Sequence, residues 1–312
     1  MHIVSASRRS DIPAFHARWF AECLRAGFAR VSNPFSNKIY EVSLRPEDVI
    51  AVVFWTRNPM PLFRHGFKEL TDLGIPACFQ FTITGYDEIL EKSTLSTERA
   101  LAAFAHAADK VGPEFVQWRY DPIVETSRHD WSWHRRNFER LARSLEGLTR
   151  RCTISFVQLY RKTRLRMEAA AAEKDFRYRF REIRPAETAR SEFGGAYHVD
   201  EMRERTRELA EIAAARGIQL QTCCDDGLID LDCGIQKAHC IDLELIRSLV
   251  RNPDLARRAG PTRDDCGCVE SRDIGTYDTC SFGCIYCYAV SSPSGGEGNQ
   301  VQTLRNGPKM RV

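Results

Sequence analysis

V-I-A-V-V-F-W-T-R-N-P-M-P-L-F-R-H-G-F-K-E-L-T-D-L-G-I-P-A-C-F-Q-F-T-I-T, residues 49–84, reads as a strand, a helix and a second strand. Val49–Trp55 is a short apolar run rich in β-branched and aromatic side chains, which suits a strand buried on both faces. Pro61–Leu73 is long enough for a helix, opens on a proline and stops at Gly74, which can take the left-handed conformation that ends a helix. Ala77–Thr84 then repeats the strand composition. Two such strands joined across a helix run parallel. The same alternation extends outward, with strands expected at His2–Ser5, Ala29–Ser32, Phe115–Tyr120, Thr153–Leu159 and Gln219–Cys223. Helices are expected at Pro13–Ala26, Thr97–Val111, Ser132–Leu145 and Val199–Arg216; Ser96 can cap the second of these, and Gly27, Gly112 and Gly217 stand at helix ends. This order predicts a parallel (β/α) TIM-like barrel, full or partial, with a doubly wound open sheet as the competing arrangement.

In a barrel the carboxyl ends of the strands form the active face. Polar residues follow several of the expected strands: Ser7, Arg8, Arg9 and Asp11, then Arg57 and Asn58, Thr82, Thr84 and Tyr86, Arg119 and Asp121, Gln158, and Asp225 with Asp226. Loops are polar in any case, so each position alone is weak evidence. Together, Arg8, Arg9, Arg57 and Arg119 favour an anionic group such as a carboxylate or phosphate. Asp11 and Asp121 join them as candidates for binding, although Asp121 in W-R-Y-D-P can equally brace its own loop.

The chain has 312 residues, 43% apolar and 28% charged, and a net charge of +3. Those proportions suit a globular protein and give no overall basic footprint for nucleic acid. No apolar run approaches the roughly 18 residues of a membrane helix, and the start M-H-I-V-S-A-S-R-R lacks the core of a signal peptide. A cytoplasmic location is expected, and with it reduced thiols. Of the 12 cysteines, Cys23, Cys78 and Cys152 are scattered among apolar residues and read as packing; the remaining nine fall between Cys223 and Cys287. In a reducing compartment such a concentration argues for metal binding rather than a disulfide framework.

C-S-F-G-C-I-Y-C-Y places Cys280, Cys284 and Cys287 in C-x3-C-x2-C spacing. Three thiolates on one loop can hold three irons of a 4Fe-4S cluster, leaving one iron open. A structural zinc knuckle would need a fourth ligand from Cys266, Cys268 or His239. With Tyr286 just before the last cysteine, the motif resembles that of the radical S-adenosylmethionine superfamily, and T-C-S-F-G-C-I-Y-C-Y-A, Thr279 to Ala289, is similar to its spore photoproduct lyase-like branch. That resemblance implies a cluster on Cys280, Cys284 and Cys287, S-adenosyl-L-methionine chelated at the open iron, Tyr286 beside the adenine, and reductive cleavage to a 5'-deoxyadenosyl radical that attacks a substrate. It also implies an electron donor such as flavodoxin or ferredoxin and a small-molecule substrate. The motif departs from the superfamily in its position, since almost the whole chain precedes it. Together with C-G-C-V-E-S-R-D-I-G-T-Y at Cys266–Tyr277 and the N-terminal S-A-S-R-R-S-D-I-P, it resembles a bacterial family labelled domain of unknown function 1848.

The other cysteines leave room for a second metal centre, an iron–sulfur cluster on Cys233, Cys240, Cys266 and Cys268 being the expected set, with packing or zinc as the alternatives. Cys240 would precede a short helix starting at Asp242. The expected organisation is a barrel over 1–239 with a charged insertion at 161–198, a cysteine-rich segment at 240–290 packed on it, and a disordered tail at 291–312. Within the insertion, F-R-Y-R-F-R-E-I-R could stack and bind nucleic acid, but an exposed helix pairing its arginines with Glu168, Glu173, Asp175 and Glu182 is the simpler reading; either way the segment is a candidate lid. The competing function is a zinc- or cluster-containing nucleic-acid-binding protein without radical chemistry.

Overall fold

The computed structural model describes residues 1–33, 36, 38–181 and 194–291. The expected tail after Ser291, and Glu182 of the insertion, lie outside the described residues. In chain order the elements are β1 (His2–Ala6), α1 (Ile12–Phe15), α2 (Ala17–Ala26), β2 (Phe28–Ser32), β3 (Ile39–Ser43), β4 (Val49–Thr56), α3 (Met60–His65), α4 (Phe67–Asp72), β5 (Ala77–Thr82), α5 (Thr97–Val111), β6 (Val116–Ile123), α6 (Trp131–Ser144), β7 (Arg151–Phe156), α7 (Arg161–Lys174), β8 (Tyr178–Phe180), β9 (Gly194–Ala196), α8 (Val199–Ala214), β10 (Gln219–Thr222), β11 (Gln236–Lys237), α9 (Leu243–Val250) and β12 (Arg272–Asp273).

Eight strands form one sheet in the order β11-β10-β7-β6-β5-β4-β1-β12, every pairing parallel. From β1 to β11 the order follows the chain without reversal, which is barrel-type winding rather than the doubly wound pattern with its switch point. The sheet is nonetheless open among the described residues: β11 and β12 lie at opposite edges, so a closed barrel is not formed. The expected strand at Ala29–Ser32 also leaves this sheet, because β2 turns back and pairs antiparallel with β3.

Side-chain alternation divides the sheet's two faces. Val4, Val52, Phe54, Phe79, Phe81, Trp118 and Ile154 point into the main core, where they meet Phe20, Leu62, Leu70, Phe104, Phe138 and Leu209 of the helices. Fully burying a side chain of this size contributes about 1.5–3 kcal/mol. Ile3, Ala51, Val53 and Cys78 point the other way and pack against Ile241, Leu245, Ile246 and Cys268. The inner face is thus covered by α9 and the cysteine-rich segment, which returns to the sheet as β12. Asp273 fastens that return by accepting hydrogen bonds from Ser5 Oγ (2.6 Å), Ser7 Oγ (2.8 Å) and the Arg8 amide (2.9 Å). Gly275 fits beside Ser7 only because it lacks a side chain; a Cβ there would stand 1.8 Å from Ser7 Oγ.

Two expected helices are broken in the structure. Pro13–Ala26 divides at His16, and Pro61–Leu73 divides at Gly66, where a Cβ would come within 3.1 Å of the Ala17 carbonyl oxygen. α5 keeps its expected limits, capped by Ser96 accepting from the Arg99 amide. No helix among the described residues is long and apolar enough to cross a membrane.

Candidate metal and cofactor site

The Cys280–Cys287 loop lies at the carboxyl ends of β1, β4 and β5. It is sewn to the loop after β5 by an antiparallel bridge between Glu91 and Cys284, by Ile285 N–H to the Leu90 carbonyl (3.0 Å) and by Ser93 N–H to the Phe282 carbonyl (3.0 Å). Phe282, Cys284 and Tyr286 enter a small core with Tyr86, Leu90, Val124, Leu159 and Tyr178. α7 holds the far side: Arg166 donates to the carbonyls of Val290 (2.7 Å) and Cys287.

Beneath the loop a buried network joins three of its attachment points. Arg57, just past β4, donates to Glu91 Oε2 (2.8 Å) and to the Tyr286 hydroxyl (2.7 Å); Thr84 donates to Glu91 Oε1 (2.6 Å), and Tyr286 also donates to that oxygen. Burial opposes the charge on Arg57, yet Glu91, Tyr286, Cys284 and Cys280 together hold the guanidinium protonated. Asp11 braces the neighbouring turn, accepting from the Ala14 amide (3.0 Å) and the Arg57 amide (2.7 Å), and burial pushes its carboxyl up to about 7.

Cys280, Cys284 and Cys287 are all free thiols. Burial and the proximity of Asp11 push Cys280 up to about 12; burial likewise raises Cys284, with Glu91, Cys287 and Cys280 adding to it against Arg57. The mutual influence places the three sulfurs in one neighbourhood. As a donor set they are three soft sulfur ligands on one turn, the kind that could hold an iron–sulfur cluster. Tyr286, by contrast, is buried with its hydroxyl on Arg57 and Glu91, and its ring meets Tyr86 edge-on at 6.3 Å.

The remaining candidates divide. Arg9 lies over the Tyr277 ring at 5.6 Å. Arg8 and Arg119 turn instead to a second group of thiols on the inner face. There Cys223 lies 3.8 Å from both Cys224 and Cys240, and Cys266 and Cys268 pack beside them. Hydrogen bonds from Cys223 and Cys268, then the charges of Arg119 and Arg8, hold Cys240 well below the ordinary thiol range. Arg119 donates to Cys240 Sγ (3.1 Å) and pairs with Asp121 (2.5 Å), which Ser155 also holds. Among the described residues, no three His, Cys, Asp or Glu side chains yet surround a common point as an ion's ligands do. Cys233 does not belong to the second group: it is exposed, and its amide donates to Asp230.

Two arginines of the insertion pair with acids outside it. Arg179 bonds Glu201 (2.6 Å), Arg181 meets Asp225 (3.1 Å), and Phe176, Tyr178 and Phe180 are buried. Those rings are closed to stacking with a base, and residues 178–180 form a strand rather than part of a helix. Thr84, expected at a strand end, joins the first group; Glu91, Arg166 and Arg263 were missed in the sequence, and Cys223 and Cys224 stood outside the expected second set. Cys223 and Cys224 carried a usable signal, two thiols immediately after an expected strand.

The family model for domain of unknown function 1848, DUF1848, matches residues 3–289. The chain belongs to this family. The match runs from β1 through the Cys280–Cys287 loop, so the sheet and the loop docked on it fall within one family unit. No curated protein matches the chain.

Proposed function

We propose that the chain is a radical S-adenosylmethionine enzyme with a partial (β/α) barrel, working in the cytoplasm on a small molecule and fed electrons by a flavodoxin- or ferredoxin-type donor. The observation that carries this reading is the docking of a C-x3-C-x2-C loop over the carboxyl ends of parallel strands, directly above the buried Arg57–Glu91–Tyr286 network. Cys280, Cys284 and Cys287 would hold a 4Fe-4S cluster. When bound, that cluster and S-adenosyl-L-methionine supply one-electron chemistry that side chains lack.

The chain's own residues hold and shield. Arg57 brings a fixed positive charge close to Cys284 and Cys280, which favours thiolate over thiol once the burial penalty is met by a metal. Glu91 and Tyr286 fix that guanidinium in place, so the charge needs no reorganisation when a ligand arrives. Arg166 and the bridge at Glu91 anchor the loop from two sides, which keeps its three thiols in register with the strand ends. The buried rings of the insertion weigh against the nucleic-acid-binding alternative.

Anaerobic reconstitution followed by electron paramagnetic resonance tests the cofactor assignment. The reduced protein is expected to show a cluster signal that shifts when S-adenosyl-L-methionine is added. A signal indifferent to it would remove the open-iron assignment.

A further inference from the structure

The five-thiol group on the inner face requires its own explanation. Cys223 and Cys224 follow β10, Cys240 precedes α9, and Cys266 and Cys268 precede β12, so three separate stretches of chain deliver sulfur to one place. Cys223 Sγ lies 3.8 Å from both Cys224 Sγ and Cys240 Sγ, Cys266 packs against Cys223 and Cys224, and Cys268 packs beside Cys240 and Cys266. None is in a disulfide. Ordinary packing cysteines in this chain, such as Cys78 and Cys152, sit among apolar side chains. These five recruit three arginines instead. Arg119 Nη1 lies 3.1 Å from Cys240 Sγ, Arg263 Nη2 3.6 Å from Cys223 Sγ, and Arg8, bonded to Ser271 Oγ (3.4 Å), lies within electrostatic reach of Cys268 and Cys240. One terminal nitrogen of Arg8 is buried there without a hydrogen-bond partner. Arg119 is paired with Asp121, so the Arg8 nitrogen is the buried donor still lacking an acceptor.

We propose that Cys223, Cys224, Cys240, Cys266 and Cys268 form a second metal centre, a single tetrahedral zinc ion held by four of the five thiolates with the fifth alongside. The spacing around Cys223 favours one ion over a cluster. Four sulfurs about 2.3 Å from a tetrahedral zinc stand about 3.8 Å from one another, whereas a cubane core pushes its ligand sulfurs much further apart. The two Sγ–Sγ distances around Cys223 are both 3.8 Å. Binding therefore turns sulfurs that already lie edge to edge toward a common point. Four thiolates around a dication leave the centre negative, and Arg8, Arg119 and Arg263 offset that charge.

Position gives the centre a structural role. It ties the end of β10 and the start of α9 to the segment that becomes β12 and then the Cys280–Cys287 loop. Arg8 links the two regions: its side chain bonds Ser271 Oγ (3.4 Å), three residues beyond Cys268, while its carbonyl accepts from the Tyr288 hydroxyl (2.9 Å). The inference is independent of the radical reading, because it concerns different cysteines.

The test uses the full chain carrying Cys280→Ala, Cys284→Ala and Cys287→Ala, so that only the inner-face thiols can retain metal. Elemental analysis after dialysis against a chelator is expected to find one equivalent of zinc. Cobalt(II) in its place should give the intense visible bands of a tetrahedral thiolate site. Adding Cys240→Ser or Cys268→Ser should remove the equivalent, and Cys233→Ser should leave it. If the serine variants fail to fold, X-ray absorption at the zinc edge of the parent decides, with an all-sulfur shell expected at about 2.3 Å. Iron with sulfide in place of zinc, nitrogen or oxygen in the first shell, no bound metal, or loss on Cys233→Ser would each overturn the proposal.

Discussion

Removing the Glu91 carboxylate by Glu91→Ala should be among the most damaging single changes in the chain. The Glu91 side chain is 2% exposed and its partner Arg57 14%, so water screens the pair poorly. Glu91 accepts from Arg57, Thr84 and Tyr286 at once. Truncation strands a guanidinium and two hydroxyl groups in a core; breaking a buried pair by removing one partner costs about 3–5 kcal/mol. That is a large share of the roughly 5–15 kcal/mol that holds a typical domain folded. Replacing both partners, with Arg57→Met and Glu91→Leu together, removes the charge as well as its counterion. The double variant should therefore lose far less than the sum of the single losses, leaving a coupling of several kcal/mol. Equilibrium urea unfolding of wild type, Glu91→Ala, Arg57→Met, Glu91→Leu and the double variant, with the denaturant slope checked for constancy, measures both quantities. A Glu91→Ala loss below about 1 kcal/mol, the range of an exposed pair, or strict additivity of the two sites, would refute the reasoning.

Tyr286→Phe keeps the ring and deletes the hydroxyl shared with Arg57 and Glu91, and should cost about 1–2 kcal/mol in the same assay. His134 is buried and held neutral, lowered to about 3 chiefly by burial, with its ring bonded to the Tyr120 hydroxyl at 2.8 Å. Unfolded His134 binds a proton below its ordinary value of 6.5 while the folded form does not, so stability should fall as pH drops from there toward about 3, by up to about 1.4 kcal/mol per unit from this group. His134→Gln should flatten that acid limb in unfolding measured across pH, and an unchanged slope would count against it. Gly275→Ala drives a methyl group into Ser7 and should loosen the Asp273 clasp, destabilising by about 1–3 kcal/mol and speeding amide exchange in β12. Brief maleimide labelling read by mass spectrometry should modify exposed Cys233 while sparing Cys23, Cys78 and Cys152, which react only on unfolding.

The winding of the sheet was legible because β4, β5, β6 and β7 each carry an apolar run and are each followed by a helix. Closure was not legible. It depends on β11 and β12, two residues each, whose pairing comes from tertiary contacts such as the Asp273 clasp and leaves no periodicity in the sequence. The diversion of β2 was hidden for a similar reason: Phe28–Ser32 has strand composition whichever neighbour it pairs with. For Cys280, Cys284 and Cys287 proximity was legible in the spacing, since the three share one loop. The second group is assembled from three stretches, so proximity in sequence misled: Cys233 stands between Cys224 and Cys240 yet is exposed on the turn that Asp230 organises. Glu91 was one of several acids in its loop, and only its contacts single it out.

Central to the account is radical chemistry at the Cys280–Cys287 loop. After anaerobic reconstitution and dithionite reduction, wild-type protein supplied with S-adenosyl-L-methionine should release 5'-deoxyadenosine, and Cys284→Ala should release none while the inner-face metal stays bound. A reconstituted wild-type cluster that yields no 5'-deoxyadenosine under several reductants, or equal release from Cys284→Ala, would contradict it.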